Sequence, residues 1–113
     1  MKIDKSLLSG SHAMLVLSLL SEREKYGYQI ITELALRSDD TFQMKEGTLY
    51  PILYRLEDDG LIAAKWSQGE GRVAPKKIYE ATEAGHQENI RRIMVWQEFE
   101  ETVNTFLPGG EKK

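Results

Sequence analysis

The chain has 113 residues, 41% of them apolar, and no cysteine. That fits one globular domain with one core, and it excludes a disulfide framework, thiolate chemistry and cysteine-based metal sites. The formal net charge of -3 argues against a uniformly polyanion-binding surface.

The first helix has candidate caps in Asp4 and Ser6 and runs to about Leu20 or Ser21, with a broad apolar surface around Leu8, Leu15 and Leu19. Ser21 to Lys25 reads as a charged connector. A second helix is expected from about Tyr26 to Arg37, with Ile30, Ile31, Leu34 and Ala35 at helical spacing, ended by the turn chemistry of Ser38-Asp39-Asp40. Phe42 and Met44 alternate with polar residues, which predicts a short strand over Thr41 to Lys45. In the third helix Leu49, Ile52, Leu53 and Leu56 fall at i, i+3, i+4 and i+7. Proline removes a helical hydrogen bond and clashes with the preceding turn, so the helix should start between Glu46 and Thr48 and keep Pro51 in or close to its first turn. Gly60 is the stop.

Two strands follow, Leu61 to Gln68 and Lys76 to Ala81, joined by a loop with Gly69, Gly71 and Pro75. Thr82 is an N-cap for a last helix whose apolar stripe (Ile90, Ile93, Met94, Trp96, Phe99, Val103, Phe106) reaches about Leu107. Pro108-Gly109-Gly110 ends that helix before a frayed tail, Glu111 to Lys113. The fold class is therefore mainly α with a small β-hairpin: a winged helix-turn-helix over residues 1–82, and a long C-terminal helix with a short tail over 83–113.

No apolar run reaches the roughly 18 residues of a membrane span, and no cleavage signature follows a signal core, so a soluble cytoplasmic protein is expected. His12 and His86 belong to no ligand-spaced cluster, no nucleophile-base-orienter set can be assembled, and neither a metal nor a cofactor is called for. Phosphate affinity depends on local charge, and Lys65, Glu70, Arg72, Lys76 and Lys77 leave one stretch with a positive excess, whereas the C-terminal stretch is rich in glutamate.

Tyr26-Gly27-Tyr28-Gln29-Ile30, the run Gly47-Thr48-Leu49-Tyr50-Pro51-Ile52-Leu53-Tyr54-Arg55-Leu56-Glu57-Asp58-Asp59-Gly60-Leu61-Ile62, and Pro75-Lys76-Lys77-Ile78-Tyr79 before Thr82-Glu83-Ala84-Gly85 together resemble the PadR family of bacterial transcriptional regulators. A single C-terminal helix and a short chain are similar to its compact subfamily. The resemblance implies a homodimeric repressor on a palindromic double-stranded DNA operator, with C-terminal helices that help make the dimer and a small-molecule inducer. Two departures stand out. Lys76 follows Pro75 where relatives often have arginine, which keeps the charge and loses the bidentate fork. The strand end Ile78-Tyr79-Glu80-Ala81 replaces a run that commonly holds two tyrosines.

In a helix-turn-helix the N-terminal part of the second helix enters the major groove. The outward DNA-binding candidates are therefore Thr48, Tyr50, Pro51, Tyr54 and Arg55, with Asp58 and Asp59 repelled by phosphate at the far end. The wing adds Arg72, Lys76 and Lys77, suited to flanking phosphates or the minor groove. Ile90, Ile93, Trp96, Phe99, Val103 and Phe106 are dimer-interface candidates. Trp96 has two readings: packing between subunits, or flanking a small planar aromatic effector as in some compact relatives, with Met14 and Phe99 beside it. A winged helix used for protein-protein interaction and a drug sensor are the alternative functions.

Overall fold

The computed structural model describes residues 5–68, 71–72 and 74–109, with side chains from residue 10 onward. The candidate cap Asp4, the side chains of Ser6 and Leu8, the loop residues Gly69, Glu70 and Val73, and the tail from Gly110 to Lys113 lie outside the described residues. In chain order the described elements are α1 (Lys5–Glu22), β1 (Lys25–Tyr26), α2 (Gly27–Arg37), α3 (Glu46–Asp58), β2 (Ile62–Trp66), β3 (Lys77–Ala81) and α4 (Glu83–Asn104). The core lies where α1, α2 and α3 meet the sheet. It is built from Val16, Leu17, Leu19 and Leu20, Ile30 and Leu34, Leu49, Leu53 and Leu56, with Met44, Ile62 and Tyr79.

The connector after α1 is not only a connector. Lys25 and Tyr26 pair antiparallel with Tyr79 and Ile78, so the hairpin becomes a three-stranded sheet of order β1-β3-β2. Lys25 is only 1% exposed, and its ammonium is held 3.2 Å from the Glu33 carboxylate of α2. A buried ammonium needs such a partner, because desolvation without one is costly.

The strand expected over Thr41 to Lys45 does not form. Ser38 redirects the chain there: its hydroxyl donates to the Leu34 carbonyl at 2.6 Å and accepts the Phe42 N–H at 2.9 Å. The local bonds satisfy groups that a ladder would otherwise have used. Asp39 and Asp40 turn the chain through the left-handed region at φ 52° and 68°, which aspartate tolerates better than most side chains. Phe42 and Met44 still pack on the core.

In α3 the start at Glu46 is as expected, but Pro51 is the sixth helical residue, just past the first turn, so the Gly47 carbonyl gets no N–H from it. Gly60, at φ +78°, ends the turn after the helix. The Thr82 hydroxyl caps α4 by accepting the Gly85 N–H at 3.0 Å and donates to the Gly60 carbonyl at 2.7 Å. It thereby ties the start of α4 to the corner between α3 and β2. α4 ends at Asn104, short of Leu107, because the Thr105 and Phe106 N–H groups tighten onto Thr102 and Val103. Phe106 therefore falls beyond the helix.

α4 packs on α1 and β3, and its residues 94–102 are all exposed. The radius of gyration is 16.3 Å, against about 13 Å for a compact chain of this length. Among the described residues no helix is long and apolar enough to cross a membrane, and no cluster of metal-ligating side chains occurs.

Candidate nucleic-acid interface

The stripe Leu49, Leu53 and Leu56 buries one side of α3, which leaves Thr48, Pro51, Tyr54, Arg55 and Asp58 exposed. At about 100° per residue, Pro51, Tyr54 and Asp58 lie opposite the buried stripe, with Thr48 and Arg55 on one flank. Arg55 lines an open cleft of about 430 Å³ between α1, α3 and α4 that also takes in Asp59 and Arg92. Asp58 lies ten residues beyond Thr48, about 15 Å along the axis, which keeps its charge clear of the helix start.

Tyr50 departs from the expected outward face. It is half-buried and packs against the core, with its hydroxyl over Gly27, where a Cβ would lie 2.7 Å from the oxygen. The missing side chain at Gly27 is what lets α2 and α3 close on each other. Tyr50 therefore belongs to the joint between these helices, not with the side chains that point outward.

The wing is set by register. Ile62, Ala64 and Trp66 stand opposite Ala81, Tyr79 and Lys77 and share one face of the sheet. That face is buried at Ile62 and Tyr79 and runs out into solvent at Trp66 and Lys77. Beyond the last pair, the Ser67 N–H donates to the Lys76 carbonyl at 2.7 Å and the Lys76 N–H to the Ser67 hydroxyl at 3.2 Å. Burial raises the Tyr79 hydroxyl pKa, as do the nearby Tyr50, Glu57 and Tyr54, so it stays protonated at neutral pH.

Arg72 and Lys76 are exposed and Lys77 is half-exposed. Among the described residues none of the three forms an ion pair. Lys65 is different: its ammonium is paired with Glu24 at 3.3 Å, so it adds little to the positive field. Acidic charge elsewhere is also held in pairs. Two hydrogen bonds from Arg37 lower the pKa of Glu22, and hydrogen bonds from Arg91 and Arg92 bring that of Glu88 to about 2. Such pairs cancel charge of both signs, and the excess negative charge sits apart from the wing, with Glu98, Glu100 and Glu101 exposed on α4.

Three residues were missed by sequence reasoning. Lys45 is exposed at the N-cap of α3, where a phosphate would also meet free helix-end amides. Tyr28, on the first turn of α2, and Trp66, at the end of β2, are 58% and 66% exposed. Trp66 follows Lys65 and Tyr28 stands in the motif Tyr26-Gly27-Tyr28-Gln29-Ile30, but neither signal pointed to the wing. The Lys76 ammonium lies 5.6 Å from the Tyr28 ring centroid, and the Lys77 ammonium lies 6.0 Å from that of Trp66. The first turn of α2 therefore links α3, through Gly27 and Tyr50, to the wing, through Tyr28 and Lys76.

On α4, Ile90, Trp96 and Phe99 are exposed together with Met94 and Val95, whereas Ile93 and Val103 are half-buried. Trp96 and Phe99 have ring centroids 6.0 Å apart, tilted by 40°. Met14 is half-buried in α1. So much exposed apolar surface on one helix is unusual for a lone chain.

Residues 16–91 match the family described as transcriptional regulator PadR-like. The chain is 30% identical over 110 residues to an uncharacterized protein of Lysinibacillus sphaericus, covering 96% of this chain and 99% of that one. It is 34% identical over 70 residues to a transcriptional regulator of Mycobacterium tuberculosis, covering 62% of this chain and 61% of the relative. Among solved structures, a transcriptional regulator from Clostridium thermocellum matches with a TM-score of 0.84 at 26% identity, covering 94% of this chain and 99% of the other. A PadR family transcriptional regulator from Eggerthella lenta matches at 0.80 and 33%, covering 92% and 88%.

Proposed function

The chain belongs to the PadR-like family of transcriptional regulators, and from that premise we propose that it is a cytoplasmic repressor that binds a two-fold-symmetric DNA site as a homodimer. The observation that carries this reading is that the first turn of α2 contacts both α3, at Tyr50, and the wing, at Lys76, beside the cations Arg72, Lys76 and Lys77, which lack ion-pair partners among the described residues. Thr48 and Tyr54 on α3 meet base edges and phosphates in the major groove, with Pro51 shaping the approach. Arg55, on the flank, reaches the backbone. Arg72, Lys76 and Lys77 neutralise phosphates beside the groove, and each such contact releases counterions. Tyr50 serves this interface indirectly by fixing α3 on Gly27.

Residues 1–82 form the DNA-binding part, and residues 83–113 pair two copies. The exposed Ile90, Trp96 and Phe99, with the half-buried Ile93 and Val103 and the trailing Phe106, supply the apolar surface for that pairing. Pairing sets two α3 helices into successive major grooves about 34 Å apart. Trp96 and Phe99, with Met14, also offer ring faces and a thioether to a small planar aromatic effector between the subunits. Gel shifts with the DNA upstream of the protein's own coding sequence, at low salt, test the reading. A discrete shifted species of dimer stoichiometry is expected, and no shift at micromolar protein refutes it.

A further inference from the structure

A lysine at the tip of a hairpin is a poor phosphate ligand unless something orders it, because its four-carbon stem loses much rotamer freedom on contact. An ion pair can order it, as Glu24 orders Lys65, but that cancels the charge the phosphate would meet. An aromatic face attracts the ammonium through its quadrupole and leaves the net charge intact. We propose that Tyr28 and Trp66 are positioning residues of this kind, aromatic seats that hold Lys76 and Lys77 ready for the DNA backbone. The inference rests on the DNA-binding reading above and adds to it which residues set the wing's affinity.

The fold builds each seat separately. Pairing of β1 with β3 sets Tyr26 opposite Ile78, and the Tyr26 ring stacks on Tyr28 with centroids 5.9 Å apart and planes 12° apart. Tyr28 is thereby fixed beside the wing, with the Lys76 ammonium 5.6 Å from its ring. The second seat follows from register. Trp66 stands directly opposite Lys77, whose ammonium lies 6.0 Å from the Trp66 ring and 5.8 Å from that of Tyr79. Tyr79 is core, whereas Tyr28 and Trp66 are mostly exposed and add little to the core, so their rings are free for this use. Lys76 is exposed and Lys77 half-exposed, which leaves room for a phosphate oxygen to reach them.

The test measures affinity by fluorescence anisotropy on a labelled duplex from the DNA upstream of the coding sequence, with thermal melts to confirm folding. Tyr28→Leu and Trp66→Leu should each weaken binding about two- to fivefold, the range expected for an exposed cation-ring contact, with the salt slope unchanged. Tyr28→Phe and Trp66→Phe keep a ring and should stay within about twofold of wild type. In a Lys76→Ala background Tyr28→Leu should cost nothing more, and likewise Trp66→Leu with Lys77→Ala. In the free protein, the upfield ring-current shift of the Lys76 ε-methylene should vanish in Tyr28→Leu, and that of the Lys77 ε-methylene should shrink in Trp66→Leu to the part the Tyr79 ring still supplies. Equal losses for Tyr28→Phe and Tyr28→Leu would instead make the hydroxyl a direct contact and overturn the seat. So would a leucine penalty that persists without the lysine. If the wild type binds through Lys76 and Lys77 but the leucine variants match it, only the seats fail; if the wild type does not bind DNA, the underlying reading fails with them.

Discussion

Gly85→Ala should sharply destabilise the protein even though alanine is the better helix former. Gly85 lies in the first turn of α4, and a Cβ there would drive into the Leu61 carbonyl oxygen, which is backbone and cannot swing aside. That oxygen already accepts the Thr82 N–H at 3.0 Å, and the Thr82 hydroxyl links Gly60 to Gly85. Relieving the clash means lifting α4 off the corner and stretching these three hydrogen bonds, each worth about 0.5–1.5 kcal/mol. Residual strain adds about 1–3 kcal/mol, and the gain in helix propensity returns about 1 kcal/mol. The net loss is about 1.5–6.5 kcal/mol, or roughly 6–26 °C in Tm at about 4 °C per kcal/mol for a domain of this size. Gly10→Ala provides the control: Gly10 is exposed within α1, a Cβ there meets nothing within 4 Å, and the same substitution should stabilise by about 0.5–1 kcal/mol. Thermal melts at one protein concentration suffice. A Gly85→Ala protein that melts at or above wild type would refute the reasoning about this corner.

Glu33→Gln should cost about 1–3 kcal/mol in urea unfolding, less than for a fully buried pair because Glu33 is partly open to water, and the loss should largely disappear in a Lys25→Met background. Glu88 has a depressed pKa, so its pairing with Arg91 and Arg92 stabilises above the ordinary carboxylate range and is lost as pH falls from about 4.5 to about 2. Glu88→Gln should accordingly melt slightly below wild type at pH 7 and converge with it near pH 2. Phe99→Asp places a charge on the exposed apolar surface of α4 and should shift sedimentation equilibrium toward monomer with little change in helix content.

Long periodic elements were legible in the sequence. The α3 stripe, the Thr82 cap and the two hairpin strands all sit close to where spacing and turn residues place them. β1 was not legible, because two residues cannot carry an alternation and Lys25 reads as exposed until Glu33 and β3 enclose it. The strand expected at Thr41 to Lys45 had the right pattern but lost the Phe42 N–H to the Ser38 hydroxyl and the Thr41 N–H to the Ser38 carbonyl. Tyr50 was placed outward because helix periodicity puts it at the edge of the exposed face, and only the bare Gly27 opposite draws it in. Arg72, Lys76 and Lys77 could be picked out by charge. Their settings could not, since Tyr28 is brought to the wing by the pairing of the distant β1 with β3, and Trp66 meets Lys77 only through the register of the hairpin.

The central claim is that the wing cations and α3 bind DNA as one surface. Its most direct test is the salt dependence of affinity for the upstream duplex, compared between wild type and the Lys76→Ala, Lys77→Ala double variant. Each lysine that meets a phosphate contributes close to one counterion, so the slope of log K against log salt should fall by about 2 per protomer, with weaker binding at every salt concentration. Identical slopes and affinities for the two proteins would contradict the claim and leave the wing to some partner other than DNA.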